Sequence, residues 1–254
     1  IKPEALSLLK NKELIALNQD PLYQQAYVVA KNSGCYILAR DIKKLNGTQR
    51  AFAIYNPNDT AQRVQVSFSD LCLAGKVSLR DLFLKKDLGQ FSGTYTVTVP
   101  AHGTRIYKAQ GERRLERTRY EAETAYISDY QELTNNQAAK TGIYEYADYC
   151  SSGLKAGWLG QSESNDLQWR DVYSHKGGKY ELTIAYISGE NRTMAVDVNG
   201  RRVQTISVSS GSCNTVAKKT VSIQLKKGHN TIRLSNATGW MPDIDYIDVR
   251  PVFQ

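Results

Sequence analysis

Trp240-Met241-Pro242-Asp243-Ile244-Asp245-Tyr246-Ile247-Asp248-Val249 decides how the chain is read. Tyr246, Ile247 and Val249 suit a strand, because aromatic and β-branched side chains pack well on a pleated surface. Pro242 has no N–H to give to a ladder, so the strand starts just after it. Asp243 and Asp245 are two residues apart, which puts both carboxylates on one face of an extended strand. They repel each other unless something positive lies there. Far upstream, Tyr120-Glu121-Ala122-Glu123 repeats the design. If these two strands lie together, the second half of the chain closes into one unit with a hard-cation site. Oxygen ligands of this kind suit calcium. Solvated acidic strand faces are the alternative.

The chain has 254 residues, enough for one or two domains. No apolar run approaches the roughly 20 residues of a membrane helix, so membrane insertion is not expected. Nor is a signal peptide visible. The sequence opens on Ile1, so an N-terminal part is expected to have been removed. A net charge of +8 raises nucleic acid as a partner. The basic residues are scattered, however, and no aromatic-basic motif accompanies them, so nucleic acid is not expected. The densest basic cluster, within 110–119, is mixed with acids and reads as a linker. Cys35, Cys72, Cys150 and Cys213 form no Cys-x-x-Cys pair, which argues against structural zinc. Disulfides and buried free thiols both remain open.

Residues 1–20 read as one helix, with Leu6, Leu9, Ile15 and Leu17 on a stripe and Pro21 ending it. From Tyr27 to Lys108 the pattern is short strands. Tyr36–Arg40 and Arg50–Tyr55 flank Asn46-Gly47, a hairpin signal. Val64-x-Val66-x-Phe68 and Tyr95-x-Val97-x-Val99 alternate cleanly. Short antiparallel strands at regular intervals predict a sandwich. Beyond Tyr120 the chain is strand-rich again, as in Tyr180–Tyr186, Met194–Val198 and Val221–Leu225, and nothing reads as helical.

Asn11-Lys12-Glu13-Leu14-Ile15-Ala16-Leu17-Asn18-Gln19-Asp20-Pro21-Leu22 resembles the end of the catalytic barrel in family 27 glycoside hydrolases, the α-galactosidase family. Arg80-Asp81-Leu82-Phe83, Lys86–Gly89 and Val99–Thr104 resemble that family's C-terminal antiparallel β domain. The resemblance implies two catalytic aspartates on barrel strands. Those strands would precede Ile1, so no catalytic residue is assigned here. Residues 120–254 resemble family 35 carbohydrate-binding modules, kin of family 6. The matching pieces, in order, are Tyr120–Glu123, Ala156–Gly160, Gly177–Tyr180, Val198–Gly200, Lys227–Asn230 and Pro242–Ile247. The resemblance implies a jelly roll with structural calcium held by Glu121, Glu123 and Asp245 between its first and last strands. The expected class is therefore all-β, with two β-sandwich domains in tandem and a short N-terminal helix left from an upstream TIM barrel. The expected parts are the barrel helix (1–22), the hydrolase sandwich (23–109), the linker (110–119) and the glycan-binding sandwich (120–254).

A sugar site needs an apolar platform and a few fixed polar groups. Trp158 and Trp240 sit beside glycines and turns, where a core tryptophan is less expected; core packing is the alternative for Trp158. Trp169 alternates with Leu167 and reads as core. The resemblance implies that the Trp158 loop and the loop before Asp243 meet, with Asp243 accepting from sugar hydroxyls. The loop Gly211–Thr215 lacks the aromatic residue that many relatives carry, and Tyr146 and Tyr149 are candidate replacements. The resemblance also makes the loop after Tyr149 a neighbour of Gly211–Thr215, which predicts a Cys150–Cys213 disulfide. His102, His175 and His229 read as surface residues. Asn46, Asn58, Asn191 and Asn236 head glycosylation sequons. The function expected is that of a non-catalytic C-terminal region of a secreted or periplasmic α-galactosidase-like hydrolase. Its last domain would bind glycan, galactose-containing by preference, and its other partner would be the upstream barrel. A freestanding adhesive or structural β protein is the alternative.

Overall fold

A computed structural model describes residues 2–22, 24–43, 48–134 and 137–252. The chain divides into two compact units, Ile1–Glu116 and Arg117–Gln254. Both are β-sandwiches.

The first unit opens with two short helices, α1 (Pro3–Leu9) and α2 (Lys12–Asn18), where one was expected. Asn11 makes the break. Its side chain accepts from the Glu13 and Leu14 amides, an N-cap that competes with continuing the helix. The Asn11 amide also donates to the Leu82 carbonyl at 2.8 Å, tying α2 to the sandwich. Eight strands follow: β1 (Tyr27–Asn32), β2 (Cys35–Asp41), β3 (Gln49–Tyr55), β4 (Gln62–Ser67), β5 (Leu73–Asp81), β6 (Lys86–Ser92), β7 (Thr94–Val99) and β8 (Thr104–Arg114). Six form a sheet in the order β1-β2-β3-β8-β5-β6, and β4 pairs with β7. Val64, Val66 and Val99 of the pair pack with Ile37, Phe52 and Tyr107 of the large sheet. The Asn46-Gly47 turn lies outside the described residues, but the register Asp41↔Arg50 joins β2 and β3 as a hairpin would.

A buried charge cluster runs across this sheet. Asp41 bonds Arg50 Nε at 2.9 Å and Arg114 Nη2 at 3.3 Å. Arg50 also donates to the Leu71 carbonyl and the Tyr27 hydroxyl, each at 2.8 Å. Arg114 lies in the stretch 110–119 that was expected to be linker. That expectation is corrected: Gln110–Arg114 complete β8, and Arg119 already belongs to the next strand. Basic residues that read as solvated spacer are here anchored by a buried carboxylate.

The second unit holds β9 (Arg119–Glu121), β10 (Tyr126–Ile127), β11 (Ile143–Tyr146), β12 (Leu154–Gly157), β13 (Gly160–Ser174), β14 (Gly178–Ser188), β15 (Arg192–Val198), β16 (Arg201–Val208), β17 (Ser212–Leu225), β18 (Gly228–Trp240) and β19 (Asp243–Pro251). One sheet runs β10-β13-β18-β15-β16; the other runs β11-β12-β19-β14-β17, with β9 also on β19. The first and last strands therefore do lie together, with Tyr120 opposite Ile247 and Glu121 opposite Tyr246. Trp169 is core, 1% exposed. Asn199 and Gly200 have φ of 52° and 78°, the pair of positive values that a tight hairpin turn of type I′ requires.

Four local expectations change. Glu123 leaves the strand, because a 3₁₀ turn occupies Ala122–Thr124. A bulge in β19 leaves Asp245 between the pairs Tyr186↔Ile244 and Ala185↔Tyr246. The Cys150–Cys213 disulfide is not formed, and all four cysteines are free thiols. Cys150 turns into a small cluster with Ala147 and Ile187, where burial pushes its thiol up to about 12. Cys213 is exposed, its sulfur lying against Gly189. His229 is only half-exposed, edge-on to Tyr173.

Removing the carboxylate from the first unit should leave buried guanidinium groups without compensation. Asp41→Ala is expected to lose about 3–5 kcal/mol in denaturant unfolding of that unit. A loss below about 1 kcal/mol would show that water replaces the carboxylate.

Candidate functional site

At one end of the second sandwich three turns converge. They are β12–β13 (Trp158-Leu159), β18–β19 (Met241-Pro242) and β14–β15 (Gly189–Asn191). Trp158 has φ 57°, a left-handed conformation unusual for a bulky residue. Asn165, 1% exposed, holds it there. The Asn165 amide donates to the Trp158 and Gly160 carbonyls, both at 2.8 Å, and its oxygen accepts from Gly142 N at 2.8 Å. The indole is consequently aimed outward and is 42% exposed. Trp240 meets it edge-to-face, with centroids 5.6 Å apart and an interplanar angle of 88°.

A cavity of about 270 Å³ opens beside the rings, lined by Glu145, Lys155, Arg192 and Asp243 as well. Lys155 Nζ lies 2.5 Å from Asp243 and 3.4 Å from Glu145. Glu145 also accepts from Trp158 Nε1 at 3.3 Å. Arg192 donates to the Met241 carbonyl at 3.1 Å. Gly157 leaves room for both acids: a Cβ there would meet Glu145 Oε2 at 2.6 Å. Burial pushes the Asp243 carboxyl above the usual range, against the pull of Lys155. The arrangement offers an apolar corner beside fixed acceptors and donors, which is what a sugar's C–H face and hydroxyls require.

Trp158, Trp240 and Asp243 thus come together. Tyr146 and Tyr149 do not join them. Tyr146 is 94% exposed on the strand beside Glu145, and the Tyr149 hydroxyl donates to the Cys213 carbonyl at 3.1 Å. Sequence reading missed Glu145, Lys155 and Arg192. The one available signal was the pair of short runs Ile143–Tyr146 and Leu154–Gly157, whose pairing sets Glu145 opposite Lys155.

A second acidic group surrounds the β9–β19 pairing. The Ser151 hydroxyl lies 2.6 Å from Glu121 Oε2 and 3.1 Å from Asp245 Oδ1. Burial pushes the Glu121 carboxyl up, and Glu123 and Asp245 push it further. Burial likewise raises Asp245. Glu123 Oε2 is buried without a hydrogen-bond partner. Among the described residues, no three such side chains converge closely enough to hold an ion as they stand.

Residues 118–252 match the carbohydrate binding module (family 35). The chain belongs to this family. Upstream of the family 35 module, residues 42–109 match the alpha galactosidase C-terminal beta sandwich domain. Alpha-galactosidase 3 of Arabidopsis thaliana is 32% identical over 107 residues, covering 41% of this chain and 24% of that protein. Probable alpha-galactosidase A of Aspergillus terreus is 30% identical over 118 residues, covering 44% and 21%. The chain thus spans about a quarter or less of these relatives. An isomalto-dextranase of Arthrobacter globiformis T6, solved with panose, superposes on 95% of this chain and 42% of its own, with a TM-score of 0.53 at 22% identity. That likeness shows the fold alone.

Because Asn165 fixes the backbone that carries Trp158, Asn165→Ala should disturb the family 35 module at its tryptophan end. Expected are a loss of about 1–3 kcal/mol and a red-shifted, more quenchable tryptophan emission. Unchanged emission and stability would mean that the turn holds itself.

Proposed function

We propose that this chain is the non-catalytic C-terminal region of a secreted or periplasmic α-galactosidase-like glycoside hydrolase, and that its family 35 module tethers the enzyme to galactose-containing polysaccharide. The observation that carries this reading is the Trp158–Trp240 corner set over the Asp243–Lys155–Glu145 chain. One ring face stacks on the sugar while Asp243 and Glu145 accept from its hydroxyls. The match of residues 42–109 to an α-galactosidase sandwich supports the hydrolase context. In that context the reacting carboxylates belong to an upstream barrel. A polysaccharide target lies outside the cytoplasm, which goes with export.

Calcium is the cofactor that suits the acidic group. Glu121, Glu123 and Asp245 would hold it. The unpartnered Glu123 oxygen and the mutual repulsion of the three carboxylates are the features that favour a hard cation. Its bound charge would offset that repulsion and brace β9 against β19.

The decisive experiment is retention of the full chain in native gels cast with galactan. Trp158→Ala should weaken retention by about tenfold, equivalent to ~1.4 kcal/mol. Equal retention of the variant, or none of the wild type, would refute the site. No turnover of an activated α-galactoside is expected from the chain alone; activity that survives purification would contradict the non-catalytic role. Calcium at a hundredfold excess over its Kd should stabilise the second unit by about 2.7 kcal/mol, read as a melting shift reversed by chelator. A metal-stripped sample that melts identically with and without calcium would exclude it.

A further inference from the structure

The second unit is sorted by charge along its length. At the tryptophan end Lys155 and Arg192 are paired with Glu145, Asp243 and Glu190, and the further acids Glu121, Glu123 and Asp245 lie nearby. β15 and β19 run from that end, at Arg192 and Asp243, to the other, at Val198 and Pro251. There, three turns bring basic residues together: His175-Lys176-Gly177, Lys226-Lys227 and Asn199-Gly200-Arg201. Lys176, Lys179, Arg201, Lys226 and Lys227 are all exposed, and none makes an ion pair among the described residues. Two further guanidiniums are already engaged: Arg202 with Asp197, and Arg250 with Asp248 at 3.8 Å. Glu181, opposite Arg250 in the sheet, is the neighbouring exposed acid.

These turns are held rigidly. Asn230, 1% exposed, donates to the Val172 and Lys226 carbonyls at 3.3 and 2.9 Å. Its oxygen accepts from Lys226 N at 2.9 Å and from Asn199 Nδ2 at 2.8 Å. Asn199 in turn accepts from Thr231 N at 3.0 Å. One buried amide therefore fixes the backbones of the Lys226-Lys227 and Asn199-Gly200 turns side by side, and Ser174 Oγ accepts from Gly177 N at 2.8 Å in the third. Beside them a groove of about 320 Å³ lies between β16 and β17. Val203, exposed beside the buried Val198 and Ile223, gives it an apolar floor, and Ser222 and Gln224 give it hydrogen-bonding walls under Arg201 and Arg202.

We propose that this basic end is a second binding surface, separate from the tryptophan site, for a carboxylate-bearing polysaccharide. The guanidinium fork of Arg201 matches a carboxylate, and the lysines supply point charges along an acidic chain. The apolar floor takes a sugar's C–H face. Nucleic acid fits less well, because single strands are held by stacking on exposed aromatics. Among the described residues, the exposed aromatic residues of this unit, Tyr126, Tyr130, Tyr146 and Trp158, lie on other segments. With one ligand class at each end, the module would bridge neutral and acidic chains, and simultaneous engagement would raise apparent affinity without any new contact.

The test measures binding of the full chain to immobilised polygalacturonate, neutral galactan and duplex DNA at equal ionic strength. The triple variant Arg201→Gln, Lys226→Gln, Lys227→Gln should weaken polygalacturonate binding by at least about tenfold and leave galactan binding unchanged. Trp158→Ala should do the reverse, so failure of this surface and failure of the tryptophan site are told apart. A charge-matched control in the first unit, Lys76→Gln, Lys85→Gln, Lys86→Gln, should bind polygalacturonate like the wild type. Three results would overturn the proposal: wild type that ignores polygalacturonate, an equal loss in both triple variants, or DNA bound as tightly as polygalacturonate.

Discussion

The second unit depends on the antiparallel pairing of Tyr120-Glu121 with Tyr246-Ile247. This contact joins the two ends of the sandwich across more than a hundred residues. It is secured on the inside by Tyr120 and Ile247 in the core. On the outside, Arg119 forks onto Asp248 at 2.9 and 3.1 Å and lies 3.6 Å over the Tyr246 ring. A charge-assisted fork is geometrically specific, so it fixes the register as well as the contact. Setting Glu121 opposite Tyr246 also brings it beside Asp245. The acidic group is therefore a by-product of closing the domain, which is why its repulsion bears directly on whether the domain stays closed.

The bulge in β19 divides the work of two carboxylates only two residues apart. Asp243, at the strand's start, is claimed by Lys155 and lines the cavity beside Trp158 and Trp240. Asp245, the extra residue of the bulge, accepts from the Ser151 amide and hydroxyl, and the same hydroxyl lies against Glu121. The strand still places Ile244, Ile247 and Val249 in the core, with the parity change that a bulge imposes. The first unit uses a buried carboxylate differently. Asp41 ties β2, β3 and β8 together through Arg50 and Arg114, a purely structural role.

Much of the fold was legible because strand alternation is local. Val64-x-Val66 and Tyr180–Tyr186 announce their buried faces in a few residues, and Trp169 declares itself core by its neighbours. Trp158, Trp240 and Asp243 were legible as a set only through family resemblance, since more than eighty residues separate Trp158 from the other two. Glu145, Lys155 and Arg192 escaped because nothing in their immediate sequence distinguishes a pocket-lining charge from a solvated one; long-range strand pairing makes the difference. The same limit explains Arg114, read as spacer and found buried. Cys150 and Cys213 were placed on neighbouring loops, but loop proximity does not say which way a side chain turns, and Cys150 turns inward. Asn11 carried a readable signal, the capping preference of asparagine, which a search for apolar periodicity passes over.

The backbone turn that carries Trp158 is held by one buried amide, and the ring is then seated by Glu145 at its Nε1 and by Trp240 at its edge. That separates two properties which in most binding sites drift together. The tryptophan's backbone is inherited with the turn, whereas the Lys155 side chain projects from β12 and pairs with the Asp243 and Glu145 carboxylates. Substitution at Lys155 changes the polar lining of the cavity while the turn stays in place. A left-handed tryptophan thus leaves this end of the sandwich a surface whose charge can change without rebuilding the turn.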